Sequence, residues 1–267
     1  MRPTGLARAT LRLMGMGLFL MACGGACLTL AFLLGSSGAW ALAWLGISLL
    51  VVCGAYLGRG TWLLGKRTDG SQAWLPVLLL LPYFLLTWTL WHTRRALSRE
   101  HCFDEVAPGL LLGRRPFVHE LPRDVALVVD LTSEFAEPRE VRTRVRYLCH
   151  PVLDTCAPDE DGLVSVVRAV LAEPGPVYVH CAQGHGRSST IAAAVLLALG
   201  HSEDVHGAER HLRRARPGVK LHREQRNVLT RTAPRLRELG AEHPTSSSRP
   251  ASARSGSGTQ SSATGPA

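Results

Sequence analysis

Charge is scarce in this sequence, and negative charge is scarcest. Only 19% of the 267 residues are Asp, Glu, Lys or Arg, and Asp and Glu together number 21. With 46% hydrophobic residues beside so little charge, the chain is not disordered throughout. Its seven cysteines are too sparse for a small disulfide scaffold. No repeat of 20–50 residues, heptad or collagen period is present, which excludes solenoids, propellers and coiled coils.

The charge that is present is unevenly placed. Lys and Arg number 30, for a net charge of +9. Residues 1–100 hold nine basic and two acidic residues, whereas residues 101–240 hold nineteen and eighteen. A nucleic-acid-binding domain would carry its excess on its own folded face, so no nucleic-acid partner is expected. Leu13 to Gly58 contains no charged residue over 46 positions, enough for two membrane spans of about 20 residues each. Gly35-Ser36-Ser37-Gly38 is the expected turn between them. Ala73 to Trp91 is a further uncharged run of 19 residues, with Pro76 and Pro82 inside it. The expectation is an all-α transmembrane region over residues 1–100, with three helices near 13–34, 39–58 and 73–91. Trp40, Trp74, Trp88 and Trp91 lie near span ends, as an interfacial belt requires. A secretory signal followed by buried soluble helices is the competing account, and Leu20-Met21-Ala22-Cys23 loosely resembles a lipoprotein cleavage box. Three uncharged runs weigh against both.

Three spans would put Arg2, Arg8, Arg12 and the basic 59–72 loop on one side of the membrane. The positive-inside count then places residues 101–267 outside the cytoplasm. The thiol chemistry argued below favours a reducing compartment, so the side stays open with a lean to the cytoplasm.

Residues 101–240 read as one α/β domain. Val125 to Asp130 is an apolar run closed by an acid, as suits a buried parallel strand. Tyr147–Leu153 and Pro176–Cys181 are further strand candidates. Apolar residues at 163, 164, 166, 167, 170 and 171 form a helical stripe. Residues 187–199, 203–216 and 222–239 also read as helices. Alternating strands and helices predict a mostly parallel central sheet flanked by helices on both faces. Residues 241–267 turn to Ser, Thr, Pro, Gly and Ala, the composition of a disordered tail.

One segment carries chemistry. His180-Cys181-Ala182-Gln183-Gly184-His185-Gly186-Arg187-Ser188 follows an apolar strand and opens a helix. Its glycines let the backbone curl with N–H groups pointing inward, an anion nest at a helix N-terminus. Ala182, Gln183, Gly184, His185 and Gly186 would line it, and Arg187 offers a planar fork to phosphate oxygens. The nest and helix dipole favour a Cys181 thiolate, a nucleophile aimed at bound phosphorus. Ser188 can hydrogen-bond the sulfur when it leaves.

These residues resemble the cysteine-dependent dual-specificity protein phosphatases, whose His-Cys-x5-Arg-Ser/Thr motif matches at 180, 181, 187 and 188. Gly109–Gly113 looks like the family's opening strand and Val129–Thr132 like its second. Arg216-Pro217 and Gln225 fall where the family often has such residues. The resemblance covers roughly residues 105–235 and implies a phosphatase fold without cofactor or metal; membrane-attached bacterial relatives suggest an inner-membrane location. It also implies an acid 25–35 residues before the cysteine. Asp154 lies 27 residues before it and follows a predicted strand; Asp159 is its competitor, and Asp161 is expected to start a helix. His180 takes either a supporting role for the thiolate or the role of a satisfied core histidine. His185 is either a substrate contact or a bystander. Cys149 and Cys156 are either redox partners of Cys181 or small buried hydrophobes. The arginines at 139–146 and 210–223 either steer anions or cover helix faces.

The function implied first is a membrane-anchored phosphatase acting on phosphotyrosine, and on phosphoserine or phosphothreonine, in proteins. The alternative is a lipid-phosphate phosphatase of the phosphatidylglycerophosphate type. Phosphoinositides are disfavoured, because positions 182, 183 and 185 are Ala, Gln and His rather than Lys. A pseudophosphatase is disfavoured by the joint presence of Cys181, Arg187 and Asp154. A rhodanese needs neither the upstream Asp nor the terminal Arg-Ser.

Overall fold

The computed structural model describes residues 5–58 and 60–242, with side chains from residue 16 onward. Two long helices come first, α1 (Gly5–Leu34) and α2 (Ala39–Gly58). Both are long and apolar enough to cross a membrane, over Met16–Leu34 and Ala39–Gly58. They pack closely because small residues meet at their crossing. A Cβ on Gly24 would lie 2.9 Å from the Gly46 carbonyl oxygen, and one on Gly46 would lie 2.8 Å from that of Gly24. Their outer faces stay apolar and uncovered, with Phe32 85% and Leu33 72% exposed.

The uncharged run at 73–91, expected as one span, folds as two helices. They are α3 (Trp74–Leu79) and α4 (Leu81–Leu97), divided at Leu80. Pro76 lies in α3 and Pro82 opens α4; proline has no N–H for a helix ladder and suits a first turn. The junction of the pair meets α2, where the Leu79 carbonyl accepts bonds from Trp44 Nε1 at 2.8 Å and Ser48 Oγ at 3.3 Å. Both outer flanks touch the α/β domain. Gln72 Nε2 donates to the Ser133 carbonyl at 3.4 Å, and Arg95 pairs with Glu120. Both ends of the run therefore rest on the α/β domain.

The α/β domain contains β1 (Phe103–Ala107), β2 (Leu110–Arg114), β3 (Leu127–Thr132), β4 (Arg146–Val152) and β5 (Val177–Cys181). Their order is β1-β2-β5-β3-β4, parallel except for the β1–β2 pair. β1 was not expected from sequence: Phe103 to Ala107 mixes two acids with apolar residues on an edge strand. The helices are α5 (Arg139–Arg144), α6 (Glu160–Leu171), α7 (Arg187–Ala198), α8 (Val205–Ala215) and α9 (Arg223–Glu242).

The two sheet faces are covered unequally. Alternate residues point to opposite faces, so Leu112, Val129 and Val179 share one core with α6, α7, α8 and α9. Leu111, Val128 and Tyr178 face the other way, under short α5 and the 118–121 turn. Every residue of α7 is buried, as befits an Ala-rich helix wedged between the sheet and its neighbours. Leu163 of α6 is fully buried, and its truncation to Ala is expected to cost about 2–5 kcal/mol.

A third core joins the two halves. Leu20, Val52, Tyr56 and Phe84 of the helical region pack with Val152, Leu153 and Cys156 after β4. The tail expected from 241 begins inside α9; residues 243–267 lie outside the described residues.

Candidate active site

The loop from Cys181 to Arg187 joins the end of β5 to the start of α7. Neighbouring strands carry it: Gly113 pairs with His180 on one side and Asp130 on the other. Gly184 has a φ of +80°, and a Cβ there would stand 2.5 Å from the Gly113 carbonyl carbon. A side chain at 184 would therefore meet both backbone strain and a clash. The curl brings the Gly184 N–H to 3.3 Å from Cys181 Sγ, and Ser188 Oγ to 3.3 Å from the same sulfur. Cys181 is 4% exposed. Burial alone would raise its thiol pKa; the Arg187 guanidinium, the Ser188 hydroxyl and the amides of Ser188 and Gly184 outweigh it and hold the pKa below the ordinary thiol value.

Arg187 is buried and held at one end. Glu134 grips it in a fork, Oε1 to Nη2 at 2.6 Å and Oε2 to Nη1 at 2.8 Å, while Nη1 also reaches the Val152 carbonyl at 2.9 Å. Nε has no hydrogen-bond partner among the described residues. Asp154 Oδ1 lies 3.3 Å from Nη2. The Nε–Nη2 edge is thus the face left for an oxyanion, and Asp154 occupies part of it in the free protein. Two parallel donors of this kind match two phosphate oxygens.

Asp154 is the acid brought to the site. Its side chain is 66% exposed on the loop after β4, and it lines the same cavity as Cys181. Thr155 beside it has a φ of +64°, the one positive value outside glycine among the described residues. Asp159 is committed elsewhere: it caps α6, accepting from the Gly162 N–H at 2.6 Å. Asp161 lies in the first turn of α6 and pairs with Arg235 at 2.9 Å.

The remaining sequence candidates divide. Ala182, Gln183, His185 and Gly186 line the cavity. His185 Nε2 meets Glu100 Oε2 at 2.6 Å, and its carbonyl accepts from the Lys220 N–H. His180 is fully buried, and burial lowers its pKa to about 4, so the ring is neutral. It makes no hydrogen bond through either ring nitrogen among the described residues, which fits a packed support beneath the loop. Arg216 acts on the loop from behind, donating to the Gln183 carbonyl at 3.1 Å and pairing with Asp104 at 2.8 Å. Arg142, Arg144 and Arg146 bond to protein groups instead of facing the cavity: Arg142 to Asp69, Arg144 to the Leu121 and Pro122 carbonyls, Arg146 to Glu173.

Sequence reasoning missed three residues. Glu134 orients Arg187, Trp91 donates from Nε1 to the Ala182 carbonyl at 2.8 Å, and Lys66 pairs with Asp130 at 2.7 Å. The available signal was charge in an apolar setting: Glu134 follows a fully buried strand. Asp130, Glu137 and His180 also converge closely enough to hold a metal ion. The Lys66 ammonium already supplies a cation to that group. Against burial, which would raise it, the Lys66 ammonium holds the Asp130 carboxyl far down, while burial and Asp130 push Glu137 up to about 8.

Above the loop opens a cavity of about 610 Å³. Its floor is Cys181, Ala182, Gln183, His185 and Gly186, and one wall carries Asp154 and Glu134. Its other wall comes from α1, α2 and α4, through Phe19, Leu20, Leu49, Tyr83, Leu86 and Leu90.

In sequence the chain is similar to known phosphatases. Residues 109–235 match the model of the Swiss Army Knife protein, DSP-PTPase phosphatase domain. A phosphatidylglycerophosphate phosphatase, PTPMT2 of Arabidopsis thaliana, is 32% identical over 144 residues. That match takes in 49% of this chain and 63% of the relative's length. Among solved structures, Tk-PTP in its active form is 29% identical, with a TM-score of 0.46, over 50% of this chain and 97% of its own. PTPMT1 in complex with PI(5)P is 20% identical, with a TM-score of 0.45, over 51% and 97%. Residues 109–235 form a dual-specificity phosphatase-like domain.

Proposed function

We propose that this chain hydrolyses phosphomonoesters through a phosphocysteine intermediate. The observation that carries the reading is the convergence at Cys181: a thiolate with lowered pKa, an Arg187 whose buried Nε has no protein partner, and Asp154 at the cavity wall, 3.3 Å from Arg187 Nη2. A bound phosphate dianion replaces Asp154 on the Nε–Nη2 edge. The Cys181 thiolate attacks phosphorus, and the P–O bond to the leaving group breaks while Asp154 gives that oxygen its proton. Asp154, now a carboxylate, takes a proton from water. The water oxygen attacks phosphorus and the P–S bond breaks, returning the thiolate, which Ser188 stabilises by a hydrogen bond. Arg187 and the loop amides stabilise the charge on the transferring phosphoryl group throughout, so no step as written calls on a metal or cofactor.

The cavity walls favour a lipid phosphate as substrate over phosphotyrosine, which reverses the order suggested by the sequence. Apolar residues of α1, α2 and α4 continue from the phosphate loop along one wall, giving an acyl chain an apolar path beside the headgroup site. The relative named as a phosphatidylglycerophosphate phosphatase supports the same class. Phosphorylated protein is the second reading, favoured by the dual-specificity type of the matched domain.

The helices also suggest an arrangement in the membrane. We read α1 and α2 as spans and α3–α4 as a re-entrant pair. The N-terminus, Arg67, Arg94, Arg95, Arg99 and the α/β domain then share one side, opposite the neutral 35–38 turn. Positive-inside orientation makes that side cytoplasmic, where Cys181 stays reduced.

The test is the full chain in mixed micelles with phosphatidylglycerophosphate, a phosphotyrosine peptide and p-nitrophenyl phosphate. The reading expects vanadate-sensitive turnover in EDTA on the aryl phosphate, and a higher kcat/KM on the lipid than on the peptide. Strict metal dependence would overturn the mechanism, and a preference for the peptide would restore the protein reading.

A further inference from the structure

We propose that Lys66, supplied by the α2–α3 loop of the helical region, is a positioning residue for the phosphate-binding Arg187. The inference rests on the phosphatase reading and adds a requirement to it: the helical region completes the active site.

Lys66 does not behave as a flanking membrane charge. Its side chain is 0% exposed, as is that of its partner Asp130. Its Nζ donates to Asp130 Oδ2 at 2.7 Å and to the Phe135 carbonyl. Asp130 Oδ1 in turn accepts from the Thr132 N–H at 2.8 Å and its hydroxyl at 2.7 Å, and Oδ2 accepts from the Tyr147 hydroxyl at 2.6 Å. The ammonium therefore neutralises a buried carboxylate and fixes the chain on both sides of Glu134. Glu134 is the residue whose two oxygens aim Arg187.

Other contacts from the helical region converge on the same few residues. The Ser133 carbonyl accepts from Gln72, the Glu134 carbonyl accepts from Trp88 Nε1 at 3.1 Å, and the Glu137 N–H donates to the Gly70 carbonyl at 2.9 Å. Gly70 permits that approach, since it has a φ of +79° and a Cβ there would stand 2.4 Å from the Tyr147 hydroxyl oxygen. Four backbone groups between 133 and 137 are thus held by residues 66–88. Segment 133–137 has no regular secondary structure of its own, so these contacts set where the Glu134 fork sits.

The experiment uses the full chain in detergent micelles, read by p-nitrophenyl phosphate turnover and by vanadate inhibition. Lys66→Met should lower kcat/KM by about 10²-fold, the scale of a small misplacement of a binding group. It should also weaken vanadate inhibition by about tenfold, because vanadate needs the same Arg187 edge. Folded Lys66→Met with wild-type vanadate inhibition overturns the proposal. Lys66→Met with Asp130→Asn keeps it falsifiable if the single variant fails to fold, since no buried carboxylate is left unpaired. That double variant still lacks the donor to Phe135, so its vanadate inhibition should stay weak; recovery to the wild-type value overturns the proposal. Trp88→Phe, which removes one donor to Glu134, should shift both readouts the same way by a smaller factor. A wild-type chain without turnover overturns the phosphatase reading and this inference together. Wild-type turnover with unaffected variants overturns this inference alone.

Discussion

The floor and the walls of the cavity above Cys181 are built on different principles. The floor belongs to one short strand–loop–helix junction whose nucleophile is bonded within it: buried Cys181 takes a hydrogen bond from Gly184 and shares one with Ser188. The walls come from segments far apart in sequence, and their acid, Asp154, is 66% exposed and held by one ion pair to Arg187. Chemistry that must be preorganised sits where backbone geometry fixes it. Chemistry that must change partners, and surfaces that select a substrate, sit where side chains can be exchanged at small cost to the fold.

The comparison breaks most sharply at the floor. Cys181→Ser should lower turnover on every substrate by about 10⁴-fold or more, because no other nucleophile faces phosphorus. Vanadate and phosphate binding should survive, since the Arg187 edge and the amides remain. Residual wild-type turnover, read with p-nitrophenyl phosphate, would refute the phosphocysteine route. Asp154→Asn attacks the wall and should cost about 10²–10⁴-fold on an aryl phosphate, while vanadate binding is retained or tightened, because no carboxylate competes for the Arg187 edge. A normal rate in that variant would mean the acid comes from elsewhere. It would not implicate Asp159, whose carboxylate is committed to the α6 cap.

This contrast also explains what the sequence discloses. Residues 180–188 announce their chemistry because one local fold, a glycine-bent loop opening a helix, makes the anion cup. The strands at 127–132 and 177–181 were legible because buried parallel strands are continuous apolar runs. β1 escaped, since an edge strand carrying Asp104 and Glu105 has no such run. Glu134 and Lys66 escaped for another reason: their roles depend on pairings 53 and 64 residues apart along the chain. Hydropathy over 73–91 showed a run of the right length but not that its prolines divide it, nor that both flanks rest on the catalytic domain.

A smaller effect tests whether the apolar wall selects substrate. Leu90 lines the cavity from α4 without touching the phosphate loop's bonds. Leu90→Trp should narrow the path and lower kcat/KM on a long-chain lipid phosphate by about tenfold, within the range of a one-group change in an apolar pocket. Turnover of p-nitrophenyl phosphate should stay within about twofold of wild type. Equal losses on both substrates would show that the wall supports the floor rather than the lipid.

The smallest expected effect concerns pH. The Cys181 thiol pKa lies below its ordinary value despite burial, so the thiolate persists to lower pH than in a free thiol and is lost as pH falls through the depressed value. The acid limb of alkylation by iodoacetamide should therefore lie below that of a model thiol. Ser188→Ala removes one of the hydrogen bonds that favour the thiolate, so it should move that limb to higher pH while the loop amides and Arg187 keep it below the model thiol. A limb that does not move would mean Ser188 contributes nothing to the resting thiolate. Its contact with the sulfur at 3.3 Å would then act only when the P–S bond breaks, as slower release of phosphate from the phosphocysteine in single-turnover measurements.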